Sequence, residues 1–238
     1  MQFSIFILLI CLFIFLYCVY VLANDDFIFL RRDVTMEKLF NMIFLGSFSG
    51  LFFARLFYGL FYENSIFSNP LVFLLFSYFP GLSLLGGVVG ISAYLLSSMR
   101  RRERSLPMGR ICDFFSIAFL ISLSIGYIGF LMFSEKGAEI VKLGVQAISY
   151  LMLFIVFVKF LLPRLLSGKF KEGTISFLFL LSFSMVSLIL NAFSRISILE
   201  YFKNFENIIL ILILIFFAGI LIWHENLLLK IKYFKKGK

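Results

Sequence analysis

The sequence predicts an all-α, polytopic membrane protein with seven transmembrane helices, its N-terminus outside and its C-terminus inside. Hydrophobic residues make up 62% of the 238 residues, compared with about 45–50% in a typical soluble domain. Apolar blocks of about twenty residues recur along the whole chain, and each is long enough to cross about 30 Å of hydrocarbon. The distribution of Lys and Arg between these blocks supplies the orientation.

The predicted spans follow one another with short polar connections. The first has a tripeptide, Val21-Leu22-Ala23, that would suit cleavage of a secretory signal. However, no basic residue precedes it, and about twenty apolar residues exceed the usual signal core of 7–15. We therefore interpret it as a membrane helix. The seven spans are expected at residues 3–23, 38–62, 82–98, 111–134, 143–163, 174–194 and 205–223.

Basic residues concentrate in alternate segments between the spans. The segments predicted to lie outside hold only Lys136, Lys142, Arg195 and Lys203, although the chain has 22 Lys and Arg residues. Because positive charge is retained on the cytoplasmic side, the other segments should face inward. They hold Arg31, Arg32, Lys38, Arg100, Arg101, Arg102, Arg104, Arg110, Lys159, Arg164, Lys169, Lys171, Lys230, Lys232, Lys235, Lys236 and Lys238.

The net charge of +9 is therefore mainly a topology signal and suits anionic lipid headgroups. No nucleic-acid-binding fold presents the basic runs, so we expect no nucleic-acid partner. The three cysteines, Cys11, Cys18 and Cys112, form neither a metal spacing nor a disulfide framework, and we expect no metal and no cofactor. Residues 1–238 contain no linker or internal repeat, which predicts a single membrane domain.

The second span carries a small-residue stripe and a charge. Gly46, Gly50 and Ala54 recur at four-residue spacing, which allows close approach of a neighbouring helix. On a nearby face, Arg55 should align with Tyr58 and Tyr62. Arg55 lies about 12 Å below the outer end of the helix. It should bind a polar partner there, unless it snorkels to the interface.

The third span is interrupted before it starts. Residues 70–79 are too short to cross and should lie at the outer surface, because Pro80-Gly81 breaks any helix. The paired Gly86 and Gly87 would let the backbone approach a ligand or another helix closely. Other polar residues also fall at outer helix ends and could share a cavity with Arg55. They are Glu135, Gln146, Asn191 and Arg195.

These residues occur in ordered motifs that resemble prolipoprotein diacylglyceryl transferase. The motifs are G-L-F-F-A-R-L-F-Y-G-L-F-Y at 50–62, S-N-P-L at 68–71 and P-G-L-S-L-L-G-G at 80–87. They are similar to the family's G-G-R-I-G-Y-V-L-F-Y, D-P-L and G-G-M-S-F-H-G-G. The resemblance continues through Asp113 into G-Y-I-G-F-L-M-F-S-E at 126–135, where the family has G-R-x-G-N-F-x-N-x-E. Gln146 falls where S-Q-L-Y-E is expected.

The resemblance implies a bacterial inner-membrane protein. The family moves a diacylglyceryl group from phosphatidylglycerol to the lipobox cysteine of a prolipoprotein. Phosphatidylglycerol and a prolipoprotein signal segment are therefore the implied partners. The residues that survive at the implied substrate site are Arg55, Gly86, Gly87, Glu135 and Gln146, together with the scaffold glycines Gly126 and Gly129.

The chain departs from the family pattern at its chemical positions. Leu85 stands where the histidine of H-G-G belongs, Tyr127 replaces the signature arginine, and Phe130 replaces its asparagine. Leu188 and Ala192 fall where a second arginine and a glutamate are expected. Only ten residues separate Glu135 from Gln146, which leaves no room for the family's periplasmic head insertion. No catalytic residue can be assigned from the sequence.

Three interpretations stay open. The chain is a divergent active transferase with another base such as Glu135, a lipid- or lipoprotein-binding pseudoenzyme, or a membrane partner protein whose function does not use this site. A channel or transporter is disfavoured, because paired broken helices in equivalent halves are missing from the sequence. We also predict that Arg55 and Glu135 face a common cavity near the outer leaflet and form an ion pair.

Overall fold

A computed structural model describes residues 2–32, 34–62, 81–100, 106–133, 137–193 and 198–225, and all regular secondary structure in these ranges is helical. The chain divides into two compact units, Met1–Met108 and Gly109–Lys238. Each unit is built from apolar helices, in agreement with the predicted all-α membrane fold. The expectation of a single domain stays a prediction.

The first unit contains α1 (Gln2–Asn24), α2 (Phe27–Arg31), α3 (Met36–Phe61) and α4 (Leu84–Arg100). The turn between α1 and α2 is fixed by Asp26, which is buried. Its Oδ1 accepts from the amides of Ile28 at 2.9 Å and Phe29 at 3.2 Å. These amides begin a helix and have no partner inside it, so the carboxylate satisfies them.

Helices α3 and α4 approach closely through the predicted small-residue stripe. A Cβ atom added to Gly50 would lie 2.9 Å from Cγ1 of Ile91, and one on Gly90 would lie 2.7 Å from the carbonyl oxygen of Ser49. The hydroxyl of Ser49 donates to the carbonyl of Gly90 at 3.0 Å. At Gly50 and Gly90 a methyl group would not fit without a shift of neighbouring atoms, so this part of the stripe gives the close approach that its spacing predicts.

The second unit contains the remaining helices. They are α5 (Met108–Leu131), α6 (Gly137–Val156), a π-helical segment (Phe157–Leu161), α7 (Leu162–Leu166), α8 (Thr174–Phe193), α9 (Ile198–Lys203) and α10 (Phe205–His224). The π-helical segment has a local cause in Pro163. Proline has no amide hydrogen and its ring clashes with the carbonyl four residues earlier, here that of Lys159. A widened turn relieves this conflict without ending the helix.

Within the described ranges, six helices are long and apolar enough to cross a membrane. They are Ile5–Asn24, Met36–Phe61, Met108–Leu131, Ile140–Leu166, Thr174–Phe193 and Phe205–His224. The helix predicted to form the third span is apolar but shorter, at Leu84–Met99. The count of seven crossings and the outside N-terminus therefore stay predictions. The surface segment predicted at 70–79 lies outside the described residues.

Candidate functional site

Arg55 lies in the interior of the first unit. Its side chain is 2% exposed, which argues against the alternative of snorkelling to the interface. Nη1 donates a hydrogen bond of 2.8 Å to the carbonyl oxygen of Gly81. The guanidinium carbon lies 6.0 Å from the ring centroid of Tyr58, and the Tyr58 and Tyr62 rings are 5.5 Å apart. The alignment predicted from the spacing is confirmed, and the guanidinium ties α3 to the segment that enters α4.

Gly81 is the residue that makes this contact possible. Its φ angle is +142°, a conformation that side chains rarely tolerate. A Cβ atom there would lie 2.2 Å from Cε1 of Tyr58. Both the backbone conformation and the ring of Tyr58 therefore require glycine at the position whose carbonyl accepts from Arg55.

The start of α4 is docked directly onto α3. The amide of Ser83 donates to the carbonyl of Ala54 at 3.0 Å, and the Ser83 hydroxyl accepts from the amide of Gly86 at 3.3 Å. A Cβ atom on Gly86 would lie 2.5 Å from the carbonyl oxygen of Phe53. The first of the paired glycines therefore serves contact with a helix, which is one of the two roles predicted for the pair.

The second glycine of the pair behaves differently. A Cβ atom on Gly87 would lie 3.8 Å from Cβ of Ala54 and 3.9 Å from the carbonyl oxygen of Gly50, both ordinary contact distances. Packing against α3 therefore does not require glycine at position 87. We call the assembly of Arg55, Gly81, Ser83, Leu85 and Gly86 the α3–α4 corner.

Leu85 completes the corner with an apolar side chain that is 1% exposed. This hydrocarbon side chain offers no group that can accept or donate a proton. The position that the family motif gives to histidine is therefore occupied here by a buried apolar residue.

In the second unit, Tyr127 lies near the end of α5, and Gln146 lies midway along α6. The Tyr127 ring is stacked on Tyr150, with centroids 5.7 Å apart and planes 5° from parallel. The Tyr150 hydroxyl lies 3.5 Å from that of Ser187 on α8. Gln146 is half-buried. Phe130, at the position of the family asparagine, is 39% exposed, so it is not enclosed beside Tyr127.

Asn191 belongs to a hydrogen-bond network that joins α8 to α10. Its Nδ2 donates to Oδ1 of Asn207 at 2.8 Å, and Nδ2 of Asn207 donates to the carbonyl of Tyr201 at 2.9 Å. The Tyr201 hydroxyl donates to the carbonyl of Leu188 at 3.0 Å. Asn207 is fully buried. These bonds give Asn191 a role in joining helices, whereas the sequence placed it only at an outer helix end.

Two predicted site residues, Glu135 and Arg195, lie outside the described residues. The ion pair predicted between Arg55 and Glu135 stays a prediction for this reason. The structure therefore brings together Arg55 and Gly86 in the first unit, and it places Gln146, Tyr127 and Asn191 in the second.

A polar cluster that sequence reasoning did not single out lies around the start of α8. Asp113 is fully buried, and its two oxygens accept from the amides of Gly173 at 2.7 Å and Ser176 at 2.8 Å. Glu225 Oε1 accepts from the Lys171 amide at 2.9 Å and from the Thr174 hydroxyl at 2.7 Å. We call Asp113 and Glu225, with the backbone they hold, the carboxylate clasp.

The clasp is extended by the end of α10. Nε2 of His224 lies 3.1 Å from the carbonyl oxygen of Glu172, and Nζ of Lys171 donates to the carbonyl of His224. Gly173 has a φ of +93°, which turns the chain into α8. The available sequence signal was a lone aspartate near the start of an apolar helix. Asp113 and Tyr127 are about 21 Å apart along α5, so the clasp is separate from the tyrosine stack.

Comparison with known proteins gives one decisive match. The family model described as prolipoprotein diacylglyceryl transferase matches residues 2–224. The chain belongs to the prolipoprotein diacylglyceryl transferase family. This confirms the resemblance found in the sequence motifs. No curated protein and no solved structure matches the chain.

The prolipoprotein diacylglyceryl transferase match runs from α1 to the end of α10, so it includes both the α3–α4 corner and the tyrosine stack. The chain is therefore a membrane protein of a family that acts on lipid and prolipoprotein substrates. Among the described residues, no group of three or more His, Cys, Asp or Glu side chains is arranged to hold a metal ion.

Proposed function

We propose that this chain is a divergent, prolipoprotein diacylglyceryl transferase-like protein of the bacterial inner membrane that binds phosphatidylglycerol and a prolipoprotein signal segment without efficient transfer. The observation that carries the proposal is the burial of Leu85 at the motif position of the family histidine. A core leucine replaces a titratable group, whereas the surrounding glycine-dependent contacts of α3 with α4 are kept.

The family reaction makes two demands on a protein. The lipobox thiol, with a pKa near 8.5 when free, must lose its proton before its sulfur attacks the glyceryl carbon. As the S–C bond forms, the C–O bond to glycerol phosphate breaks, and the leaving group takes away negative charge. Arginine donors in a site that excludes water stabilise that charge best.

The described residues meet these demands poorly. Leu85 cannot accept the thiol proton, and Tyr127 is held in an aromatic stack where the family motif has arginine. Arg55 is present, but Nη1 is already bonded to the Gly81 carbonyl. Binding requires less than transfer does, since lipid chains need only apolar helix surface. The replaced chemical groups and the retained apolar helix surface together favour a protein that binds lipid but transfers the diacylglyceryl group poorly.

A divergent but active transferase is the second candidate. In that candidate another carboxylate, such as Glu135, would accept the thiol proton in place of histidine. We also propose, from the charge distribution, seven crossings with the N-terminus outside, which would place the substrate site toward the outer leaflet.

Binding and transfer are tested separately. Native mass spectrometry of the purified chain should show retained phosphatidylglycerol, and a photo-crosslinking lipobox peptide should label the protein. An unlabelled peptide should compete with that labelling, whereas a scrambled apolar peptide of equal length should not. Absence of both lipid retention and specific labelling would contradict the proposed binding function, whatever the transfer assay shows.

A further inference from the structure

Residues 159–171 of the second unit combine exposed cations with exposed apolar side chains. Lys159, Arg164, Lys169 and Lys171 are all exposed, and Phe160 and Leu166 are each 53% exposed. The segment 157–171 contains neither Asp nor Glu. We name residues 159–171 the basic elbow.

The backbone of the elbow is fixed by its own hydrogen bonds. The carbonyl of Arg164 accepts from the amides of Lys169 at 2.9 Å and Phe170 at 3.4 Å, and from the Ser167 hydroxyl at 3.1 Å. Gly168 supplies the turn with a φ of +71°. Leu165 is fully buried and anchors the short helix α7. The elbow therefore presents its cations from a defined chain reversal.

The far end of the elbow is held by the carboxylate clasp. Glu225 accepts from the Lys171 amide at 2.9 Å, which joins the elbow to the end of α10. Because the backbone is fixed before a ligand arrives, little conformational entropy is lost on binding. The candidate membrane spans Ile140–Leu166 and Thr174–Phe193 are joined through the elbow, so its turn at residues 167–171 lies at a membrane surface.

We propose that the basic elbow is a docking surface for the headgroups of anionic phospholipids, formed by residues other than those proposed to bind the substrate. The cations attract phosphate, and the exposed Phe160 and Leu166 enter the boundary between headgroups and acyl chains. Lys159 reaches the headgroups by extending its stem along the apolar surface, and its Nζ lies 5.9 Å from the Phe160 ring centroid. This mixture of cationic and apolar side chains fits a lipid surface better than an acidic protein partner.

Trp223 provides a built-in reporter for this surface. It is the only tryptophan of the chain, is 81% exposed, and precedes His224, whose carbonyl accepts from Lys171. The full chain is reconstituted in phosphatidylcholine vesicles that contain either brominated phosphatidylserine or brominated phosphatidylcholine at equal fraction. Phosphatidylserine is chosen because it is anionic but is not the proposed substrate.

Brominated phosphatidylserine should quench Trp223 with an apparent association about fivefold stronger than brominated phosphatidylcholine, the ratio expected when a basic residue attracts an anionic lipid at a surface. The double variant Arg164→Gln with Lys169→Gln should lose most of that preference. The matched control, Lys142→Gln with Lys203→Gln, removes the same charge from exposed positions. Phe205, two residues after Lys203, lies about 27 Å from Trp223 along α10, so the control should keep the preference.

Equal quenching by the two lipids in the unmodified protein would overturn the proposal, and so would an equal loss in the control variant. If the glutamine variant fails to fold by circular dichroism, Arg164→Lys with Lys169→Arg should retain the preference. Raised ionic strength should then lower the preference of the unmodified protein. A preference unaffected by salt would also contradict the proposal.

Discussion

The guanidinium of Arg55 donates to the carbonyl oxygen of Gly81 at 2.8 Å, across the gap in sequence between α3 and α4. A buried arginine in a membrane helix is costly unless its donors are satisfied. In this protein, at least one N–H group of the Arg55 guanidinium donates a hydrogen bond to the chain's own backbone. Arg55 thus contributes to the architecture of the corner, whether or not it also meets a lipid phosphate.

Replacing Arg55 by glutamine should lower the free energy of unfolding by about 1–3 kcal/mol, because the Gly81 carbonyl loses a charged donor. Arg55→Lys should recover part of this loss. Thermal unfolding in detergent would measure both variants. The exposed Lys142→Gln is the control and should stay within about 0.5 kcal/mol of the unmodified protein. Unchanged stability with weakened lipid retention would instead assign Arg55 to the ligand.

The paired glycines offer a matched comparison at neighbouring positions. Gly86→Ala places a methyl group 2.5 Å from the Phe53 carbonyl oxygen and should destabilise the first unit by about 1–3 kcal/mol, as overpacking does. Gly87→Ala meets atoms only at 3.8 Å and beyond, so it should be close to neutral. Chemical denaturation of both variants checks the difference. Equal effects at the two positions would contradict the described contact of α3 with α4.

Position 85 should accept another apolar residue in place of leucine, whereas the histidine of the family motif should be destabilising there. Leu85→Met conserves volume and should cost less than about 1.5 kcal/mol. Leu85→His buries a polar ring and should cost about 2 kcal/mol or more unless the ring finds a partner. Stability measurements on the pair, with a transfer assay on Leu85→His, test this. A stable and newly active Leu85→His variant would show that only this group was missing.

The carboxylate clasp should hold the start of α8. Asp113→Ala removes the acceptors of the Gly173 and Ser176 amides and should cost about 3 kcal/mol, because two buried hydrogen bonds are lost and their amide donors are left without an acceptor. Asp113→Asn keeps one acceptor oxygen and should lose about half as much. Hydrogen exchange should show the loss first at the amides of residues 173–176. The adjacent Cys112→Ala serves as control. Unchanged exchange at these amides in Asp113→Ala would rule out the clasp.

The positions of the apolar helices could be predicted from the sequence because each depends on a local run of residues. The fourth predicted span, 111–134, is observed at Met108–Leu131, and Gly46, Gly50 and Ala54 indicated a packed face before any partner was known. Family membership also followed from ordered local motifs. These features need no knowledge of distant contacts.

Features that depend on distant contacts could not be predicted. Arg110 was assigned to an inner polar segment, yet it is buried in the first turn of α5. Asp113 bonds to an amide 60 residues later in the chain, and no spacing rule connects the two. Likewise, the hydrogen bond from Arg55 to the Gly81 carbonyl depends on how the chain folds back onto α3 after leaving it. The site predicted from polarity alone therefore included residues that hold helices together, such as Arg55 and Asn191, beside candidates for ligand binding.

The most direct test of the central claim is a mass measurement. The purified protein in phosphatidylglycerol vesicles is incubated with a lipobox peptide, beside an orthodox family member and beside a peptide whose cysteine is replaced by serine. We predict peptide that is bound but keeps its original mass, while the orthodox enzyme adds a diacylglyceryl group. A diacylglyceryl mass increase with this protein, absent from the serine peptide, would contradict the account and identify it as an active transferase.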